Sequence, residues 1–230
     1  MSSTDRLGAD QIAALVARDI PDGSFVNLGI GLPTKVANHL VPEQNVMLHT
    51  ENGMLGMGPE AHGSQIDRDL INAGKVPVTE LPGASYFHHA DSFAMMRGGH
   101  LDICVLGAYQ VSARGDLANW HTGRPDDIPA VGGAMDLALG ARQTFVMMYL
   151  LSRNGTAKIV SRCTYPLTGL RCVSRVYTDL AVFLIAHRGL VVRETFGTDV
   201  EQLRQLIGVP LVDGTRPAGD PHLAGRGRAS

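Results

Sequence analysis

The chain has 230 residues, a formal net charge of −2 and a sequence pI of about 6.5. This balance excludes the basic surface that nucleic-acid binding requires, and no apolar run approaches the roughly 18 residues that span a membrane. The polar N-terminus lacks the apolar core of a signal peptide, so we expect a cytoplasmic protein. The histidines and cysteines form no H-E-x-x-H or C-x-x-C pattern, so we expect no metal site and free thiols at Cys104, Cys163 and Cys172.

Strands and helices alternate through the first half of the chain. Apolar spacing and turn residues predict, in order, helix 9–20 with Asp10 as its N-cap, strand 24–30, helix 33–40, strand 45–50, a glycine-rich loop 51–59, strand 76–81, helix 85–96 and strand 101–106. Pro33 favours a helix start because its missing N–H would be unpaired there.

Hairpins are predicted in the second half. A buried strand 143–151 would pair with 158–163 through the turn Asn154–Gly155, and 179–186 would pair with 190–196. A last helix begins at Thr198, which forms a capping box with Glu201. These elements predict one α/β domain over residues 1–212, with a mixed, largely parallel sheet and helices on both faces, and a disordered tail over 213–230.

The end of the first predicted strand, residues 27–31, is one candidate site. Ligands in open α/β sheets bind at the carboxyl ends of strands, and glycines there let backbone N–H groups approach an anion. The dinucleotide pattern G-x-G-x-x-G requires a glycine where this chain has Thr34. A nucleotide-binding oxidoreductase with Glu51 on the ribose, and a plain strand–helix turn, both stay open.

The end of the second predicted strand is the more informative candidate. Glu51 is followed by a run of glycines, which are costly to order unless backbone must approach a ligand closely. The sequence Leu48-His49-Thr50-Glu51-Asn52-Gly53-x-x-Gly56 resembles the active-site signature of B-type subunits of family I CoA-transferases. Members usually carry Ser where this chain has Thr50.

The resemblance extends over about residues 7–212. Further family blocks are similar to residues 131–137, 164–169 and 178–183. One departure follows Met147-Met148, where the family carries an acidic residue and a histidine and this chain has Tyr149-Leu150.

The resemblance implies a NagB/RpiA/CoA-transferase-like fold and a covalent mechanism. Glu51 would be the nucleophile that forms an acyl anhydride and then a glutamyl-CoA thioester. The Gly132 backbone N–H and the Asn27 side-chain amide would stabilise the oxyanions. No cofactor would be bound, because the coenzyme A thioester is itself the substrate.

The same resemblance implies binding residues and substrates. Residues for substrate or CoA binding would be Gly29, Gly31, Asn52, Gly53, Lys75 and Gly133. Residues 85–99, 115–123 and 163–174 resemble the members that transfer CoA from succinyl-CoA to 3-oxoadipate, with acetoacetate as the alternative acceptor. His88, His89 and Arg97 are hypothesised to contact a dicarboxylate.

A partner chain is also implied. Family members of this type work with an A-type subunit, so we expect a heterodimer or a heterotetramer. A non-catalytic subunit with the same fold remains the alternative.

Overall fold

The computed structural model describes residues 6–124, 128–129 and 131–215. Its α-helices are α1 (Ala9–Arg18), α2 (His89–Arg97), α3 (Ala134–Gly140) and α4 (Val200–Ile207), and its 3₁₀ helices are Leu32–His39, Pro42–Gln44 and Gly63–Gln65. The strands are β1 (Phe25–Leu28), β2 (Met47–Thr50), β3 (Met54–Glu60), β4 (Val78–Tyr86), β5 (Ile103–Leu106), β6 (Gln110–Ser112), β7 (Leu117–Ala118), β8 (Gln143–Met147), β9 (Ile159–Val160), β10 (Val173–Tyr177), β11 (Ala181–Ala186), β12 (Gly189–Thr195) and β13 (Leu211–Asp213).

Ten of these strands form one sheet in the order β13-β12-β11-β10-β8-β5-β1-β2-β3-β4. The five central strands from β10 to β2 run parallel, whereas β11 and β12 on one side and β3 and β4 on the other add antiparallel pairs. The predicted mixed, largely parallel sheet is therefore confirmed. A second sheet, in the order β7-β6-β9, lies beside it.

Helices cover both faces of the large sheet, as predicted. Along β5 the buried side chains alternate, so that Cys104 and Leu106 join the core under α2, α3 and α4 while Ile103 and Val105 join the core under α1 and the first 3₁₀ helix. This period-2 alternation is what a strand buried on both faces requires. Within the described part of the chain, no helix combines the length and apolar character needed to cross a membrane.

The glycine-rich loop predicted over 51–59 is wrong, because most of it forms β3. β3 pairs antiparallel with β2 and β4. Glycine at position 58 permits this pairing, since a Cβ there would overlap the Thr79 hydroxyl. β4 then continues to Tyr86, so α2 begins at His89 rather than at residue 85.

The hairpin predicted between 143–151 and 158–163 is also wrong. A single bridge joins Leu151 to Ala157, whereas β9 pairs parallel with β6 in the small sheet. The hairpin of β11 and β12 is confirmed.

The predicted helix caps lie one or two residues from the observed ones. Gly8, not Asp10, is the N-cap of α1, and Asp199, not Thr198, caps α4 by accepting a hydrogen bond from Gln202 N at 2.8 Å. Asp is a strong N-cap, so it displaces the neighbouring threonine. The helix predicted over 33–40 is a 3₁₀ helix.

The predicted tail begins too early, because Asp213 is the last residue of β13. The part of the predicted tail from residue 216 onward lies outside the described residues.

Candidate active site

A cleft opens where four neighbouring parallel strands end. The carboxyl ends of β1, β2, β5 and β8, together with the start of α3, line a cavity of about 450 Å³. This is the edge at which open α/β sheets bind ligands. Among the residues predicted for the site, the structure brings together in this cleft Asn27, Gly29, Glu51, Gly132 and Gly133.

Glu51 lies in the tight turn that joins β2 to β3. The Thr50 hydroxyl accepts a hydrogen bond from Met54 N at 3.1 Å, and Gly53 N donates to Thr50 O at 3.1 Å. These bonds fix the backbone on both sides of Glu51, whose side chain is half-buried. No described residue forms a hydrogen bond or ion pair with the Glu51 carboxylate. The backbone of the turn is therefore held by hydrogen bonds, whereas the carboxylate has no such partner among the described residues.

Gly133 packs directly against that carboxylate. A Cβ on Gly133 would overlap Glu51 Oε2 and would lie 3.2 Å from the Phe93 ring. Any larger residue would therefore displace the Glu51 carboxylate or the Phe93 ring. Gly132, immediately before it, has a φ of +46°, which favours glycine.

Asn27 pairs in register with His49 across β1 and β2. Asn27 Nδ2 lies 3.1 Å from His49 O, to which it donates, and 3.0 Å from His49 Nδ1. Asn27 lines the cleft, and no described residue donates a hydrogen bond to its side-chain oxygen. The oxyanion-donor role implied by the resemblance would require this amide to turn.

Four residues predicted to bind substrate or CoA lie outside the cleft lining. Gly31 starts the first 3₁₀ helix at a φ of +96°, and Lys75 is exposed in a turn in which its N–H donates to Asn72 O. Asn52 is exposed and donates to Ile71 O at 2.9 Å. Gly53 is buried against the Phe87 carbonyl, which a Cβ would overlap. Their binding roles stay predictions.

The three residues hypothesised to contact a dicarboxylate also lie outside the lining. His88 caps α2 by accepting a hydrogen bond from Ala90 N, and His89 packs on Phe93. Arg97 pairs with Asp136 at 2.6 Å and lies over the same Phe93 ring.

Lys158 and Asn119 line the cleft and were missed from the sequence. Lys158 is half-buried; burial lowers the pKa of its ammonium group, and the charge of Asp179 opposes that shift. Asn119 is held by Thr168, whose hydroxyl donates to Asn119 Oδ1 at 2.6 Å. Asn119 itself belongs to residues 115–123, a stretch with family resemblance, which was the available signal for it. Nothing in the sequence marked Lys158.

The departure at Tyr149-Leu150 follows the end of β8. Leu150 is fully buried in the core, whereas Tyr149 is exposed. Among the described residues, no cluster of His, Cys, Asp and Glu is arranged to hold a metal ion. Cys104, Cys163 and Cys172 are free thiols, as predicted.

Comparison with known proteins gives a family match and relatives that cover most of the chain. The family model described as coenzyme A transferase matches residues 9–195. The chain is 60% identical to the B-type subunit of 3-oxoadipate CoA-transferase from Pseudomonas putida, covering 92% of this chain and 100% of that protein. It is 44% identical to the B-type subunit of succinyl-CoA:3-ketoacid coenzyme A transferase from Helicobacter pylori, covering 85% of this chain and 94% of that protein.

Among solved structures, an acyl-CoA transferase apoenzyme from Escherichia coli O157:H7 matches with a TM-score of 0.68 at 17% identity. The match covers 91% of this chain and 42% of that one. At this identity the likeness concerns the fold alone.

Proposed function

The chain belongs to the coenzyme A transferase family, and from this premise we propose that it is the B-type subunit of an enzyme that moves CoA from succinyl-CoA to 3-oxoadipate. The observation that carries the proposal is the Glu51 carboxylate. It lies in the cleft at the end of β2, it contacts the Gly133 backbone, and it has no hydrogen-bond partner among the described residues.

A carboxylate nucleophile suits this reaction because it keeps the acyl group activated. A Glu51 oxygen attacks the thioester carbonyl of succinyl-CoA and forms a C–O bond; the C–S bond then breaks, CoA leaves as a thiolate, and a mixed anhydride between Glu51 and succinate remains. The thiolate then attacks the Glu51 carboxyl carbon, the anhydride C–O bond breaks, and succinate leaves. Glu51 now carries CoA as a thioester.

The second acid reverses these steps. The 3-oxoadipate carboxylate attacks the Glu51 thioester carbon and expels CoA thiolate, which then attacks the new acyl carbon and frees the Glu51 carboxylate. No redox partner or net proton transfer is needed. Each step passes through an oxyanion, and the Gly132 backbone N–H at the cleft wall is the proposed donor to it. Removing one such donor typically costs roughly 2.7–4 kcal/mol of barrier height.

Binding of CoA itself is assigned by the same proposal. Gly29 and Gly133 would allow close approach within the cleft, whereas Gly31, Asn52, Gly53 and Lys75 would act outside it, where the nucleotide end of CoA extends beyond the cavity. Lys75 is exposed and could meet a phosphate.

A partner subunit is part of the proposal. Ile30, Tyr109 and Val131 line the cleft yet remain 62%, 41% and 39% exposed. Exposed apolar side chains around a site are typical of surfaces that another protein covers. An A-type subunit seated there would exclude water from the anhydride and the thioester, both of which hydrolyse readily.

Intact-protein mass spectrometry tests the proposal. The chain is co-expressed with an A-type partner, exposed to succinyl-CoA, and weighed. We expect a CoA-sized mass increase on this chain, sensitive to borohydride and mapping to Glu51. Glu51→Ala should carry no adduct. An adduct on that variant would contradict the assignment. So would the absence of an adduct on the parent chain when a control B-type subunit is active under the same conditions.

Acetoacetate is the second candidate acceptor, because of the 44% identity to the Helicobacter pylori protein. Discharge of the adduct by 3-oxoadipate but not by acetoacetate supports the first assignment, and the reverse result supports the second. If this chain purified alone transferred CoA at the full rate, the proposal that it needs an A-type subunit would be wrong.

A further inference from the structure

His49 occupies the centre of a buried polar chain beside Glu51. The residue is 1% exposed. Its Nδ1 lies 3.0 Å from Asn27 Nδ2, and its Nε2 lies 3.0 Å from Ser92 Oγ. Ser92, which is fully buried on α2, in turn donates from Oγ to Thr50 O at 3.0 Å. The chain therefore runs from β1 through β2 to α2 and returns to the residue before Glu51.

The protonation state of every member follows from the donor inventory. The Asn27 nitrogen must face His49 O, because an amide oxygen there would meet another acceptor. Asn27 therefore donates to Nδ1, which leaves the imidazole proton on Nε2. His49 Nε2–H therefore donates a hydrogen bond to Ser92 Oγ, and the Ser92 hydroxyl donates its own proton to Thr50 O. This arrangement gives a partner to the Asn27 amide nitrogen, to both ring nitrogens of His49 and to the Ser92 hydroxyl.

The surroundings of the ring agree with a neutral imidazole. Burial lowers the pKa of His49 to about 4. The hydrogen-bond and stacking partners of the ring are the Asn27 amide, the Ser92 hydroxyl and the Phe87 ring, which stacks at 6.0 Å between centroids. None of them carries a charge that would stabilise an imidazolium.

Resting on the proposed role of Glu51, we propose that His49 and Ser92 are positioning residues for that nucleophile, with His49 neutral and protonated on Nε2. Ser92 holds the carbonyl of the Thr50–Glu51 peptide group, while His49 ties Ser92 to β1 and turns the Asn27 oxygen toward the cleft. The turn at Glu51 is also held by Met54 N and Gly53 N on Thr50, by Asn52 on Ile71 O and by Phe87 N on Gly53 O. Ser92 adds a side-chain donor from α2 to the Thr50 carbonyl.

Positioning of this kind has a kinetic signature. Misplacing a reacting group by about 1 Å can cost about 10²-fold in rate, without changing substrate contacts made elsewhere. We expect Ser92→Ala to lower the rate of glutamyl-CoA formation by about 10–10²-fold, with KM for succinyl-CoA within about twofold. The assay uses the heteromer with its A-type partner and follows the adduct by rapid-quench mass spectrometry.

Two substitutions at His49 separate hydrogen bonding from packing. In His49→Gln the side-chain amide nitrogen can replace Nε2 and donate to Ser92, so we expect most of the rate to be retained. In His49→Leu both hydrogen bonds are lost while apolar volume remains, so we expect a loss similar to that of Ser92→Ala. Equal rates for the Gln and Leu variants would overturn the proposal.

Ser24→Ala is the matched control. Ser24 is also buried and also donates from its hydroxyl to a backbone carbonyl, that of Pro21 at 2.7 Å, but it precedes β1 and does not line the cleft. We expect its rate of adduct formation to equal that of the parent chain. If Ser24→Ala and Ser92→Ala lose rate equally, the effect is general loosening and the proposal fails.

Nitrogen-15 NMR of the imidazole gives a readout that stability alone would not move. We expect the His49 signals of the neutral Nε2–H tautomer at pH 7. The Nδ1–H tautomer or an imidazolium would overturn the proposal. If Glu51→Ala forms no adduct but Ser92→Ala forms it at the parent rate, the positioning role fails and the proposed function stands. If Glu51→Ala still forms the adduct, the proposed function itself is wrong.

Discussion

Two carboxylates of this molecule, Asp19 and Glu51, have opposite surroundings. Asp19, at the C-terminus of α1, is 6% exposed and accepts hydrogen bonds from four side chains, Arg18, Arg175, Tyr177 and Arg193. Burial alone would raise the pKa of Asp19, but the hydrogen bond from Arg18 and the charge of Arg193 lower it below its usual value. Glu51 has no such partner among the described residues.

The difference separates a structural carboxylate, Asp19, from the proposed nucleophile, Glu51. Donors stabilise the charged form of Asp19, which offsets both its burial and its unfavourable position at a helix C-terminus. The same donors around Glu51 would reduce the reactivity of its oxygens. Charged groups that only support a fold have hydrogen-bond partners, whereas a group at a functional site can lack them. Substitutions at the two sites should therefore have opposite consequences for activity and stability.

Glu51→Gln should give the largest effect. Removing a covalent nucleophile costs on the order of 10⁴-fold or more in turnover, whereas no described partner of the carboxylate is lost. We expect no adduct and an unchanged or higher melting temperature. Glu43→Gln, at an exposed glutamate, is the control and should leave both turnover and melting unchanged. A large drop in the melting temperature of Glu51→Gln would contradict the contrast with Asp19.

His49 adds a third case, a buried titratable group that is kept neutral. The unfolded residue titrates near pH 6.5 and the folded one at about 4, so between these values the unfolded state binds more protons. Stability should therefore fall as pH falls from 6.5 toward 4, by up to about 3 kcal/mol. Denaturant titrations of the parent chain and of His49→Gln at pH 7.5 and pH 5 should show the steeper loss in the parent. Equal losses of stability in the two proteins would contradict a depressed His49 pKa in the folded state.

Gly133→Ala should disturb the reactive carboxylate through space. The φ of −85° permits alanine, so the backbone is not strained, but the new Cβ would overlap Glu51 Oε2. We expect a loss of about 10²-fold in the rate of adduct formation, measured by rapid quench. Gly8→Ala, at a glycine whose added Cβ would make only ordinary contact, should retain the rate.

Asp19→Asn should show the reverse pattern of Glu51→Gln. Without the carboxylate charge, the neighbouring arginines lose their ion-pair partner. Arg18 and Arg193 are 47% and 40% exposed, so water stabilises part of their charge. We expect a loss of about 2 kcal/mol in the free energy of unfolding, with unchanged turnover per folded molecule. Because the folded pKa of Asp19 is lowered, the difference between the two proteins should persist at neutral pH and shrink below about pH 4.

The sequence predicted the parts of the fold that depend on local pattern. The run Ile103–Leu106 of β5 is short and continuously apolar, as a strand buried on both faces requires. The predicted ends of the first two strands placed Asn27 and Glu51 at one edge of the sheet. β3 was missed because glycines at 56 and 58 weaken strand propensity, and only the close pairing with β4 makes them suitable.

The hydrogen-bond chain of His49 could not be predicted either. It depends on Ser92, which is 43 residues away in sequence and reaches His49 only after α2 packs on the sheet. Lys158 enters the cleft because β9 joins the small sheet, and the hairpin inferred from the Asn154–Gly155 turn had placed it elsewhere. Local pattern identifies elements, but the neighbours of a side chain are set by tertiary packing.

Thr50 is where the sequence departs from the family signature, and Thr50→Ser should give the smallest effect. Its hydroxyl accepts from Met54 N, a bond that serine can also make. Thr50→Ser should therefore keep turnover within about threefold and lose less than about 1 kcal/mol for the missing methyl group. Thr50→Val keeps the shape but leaves the buried Met54 N–H unpaired, so it should cost about 1–3 kcal/mol and slow adduct formation. If the serine variant loses more than the valine variant, the methyl group rather than the hydroxyl holds the turn at Glu51.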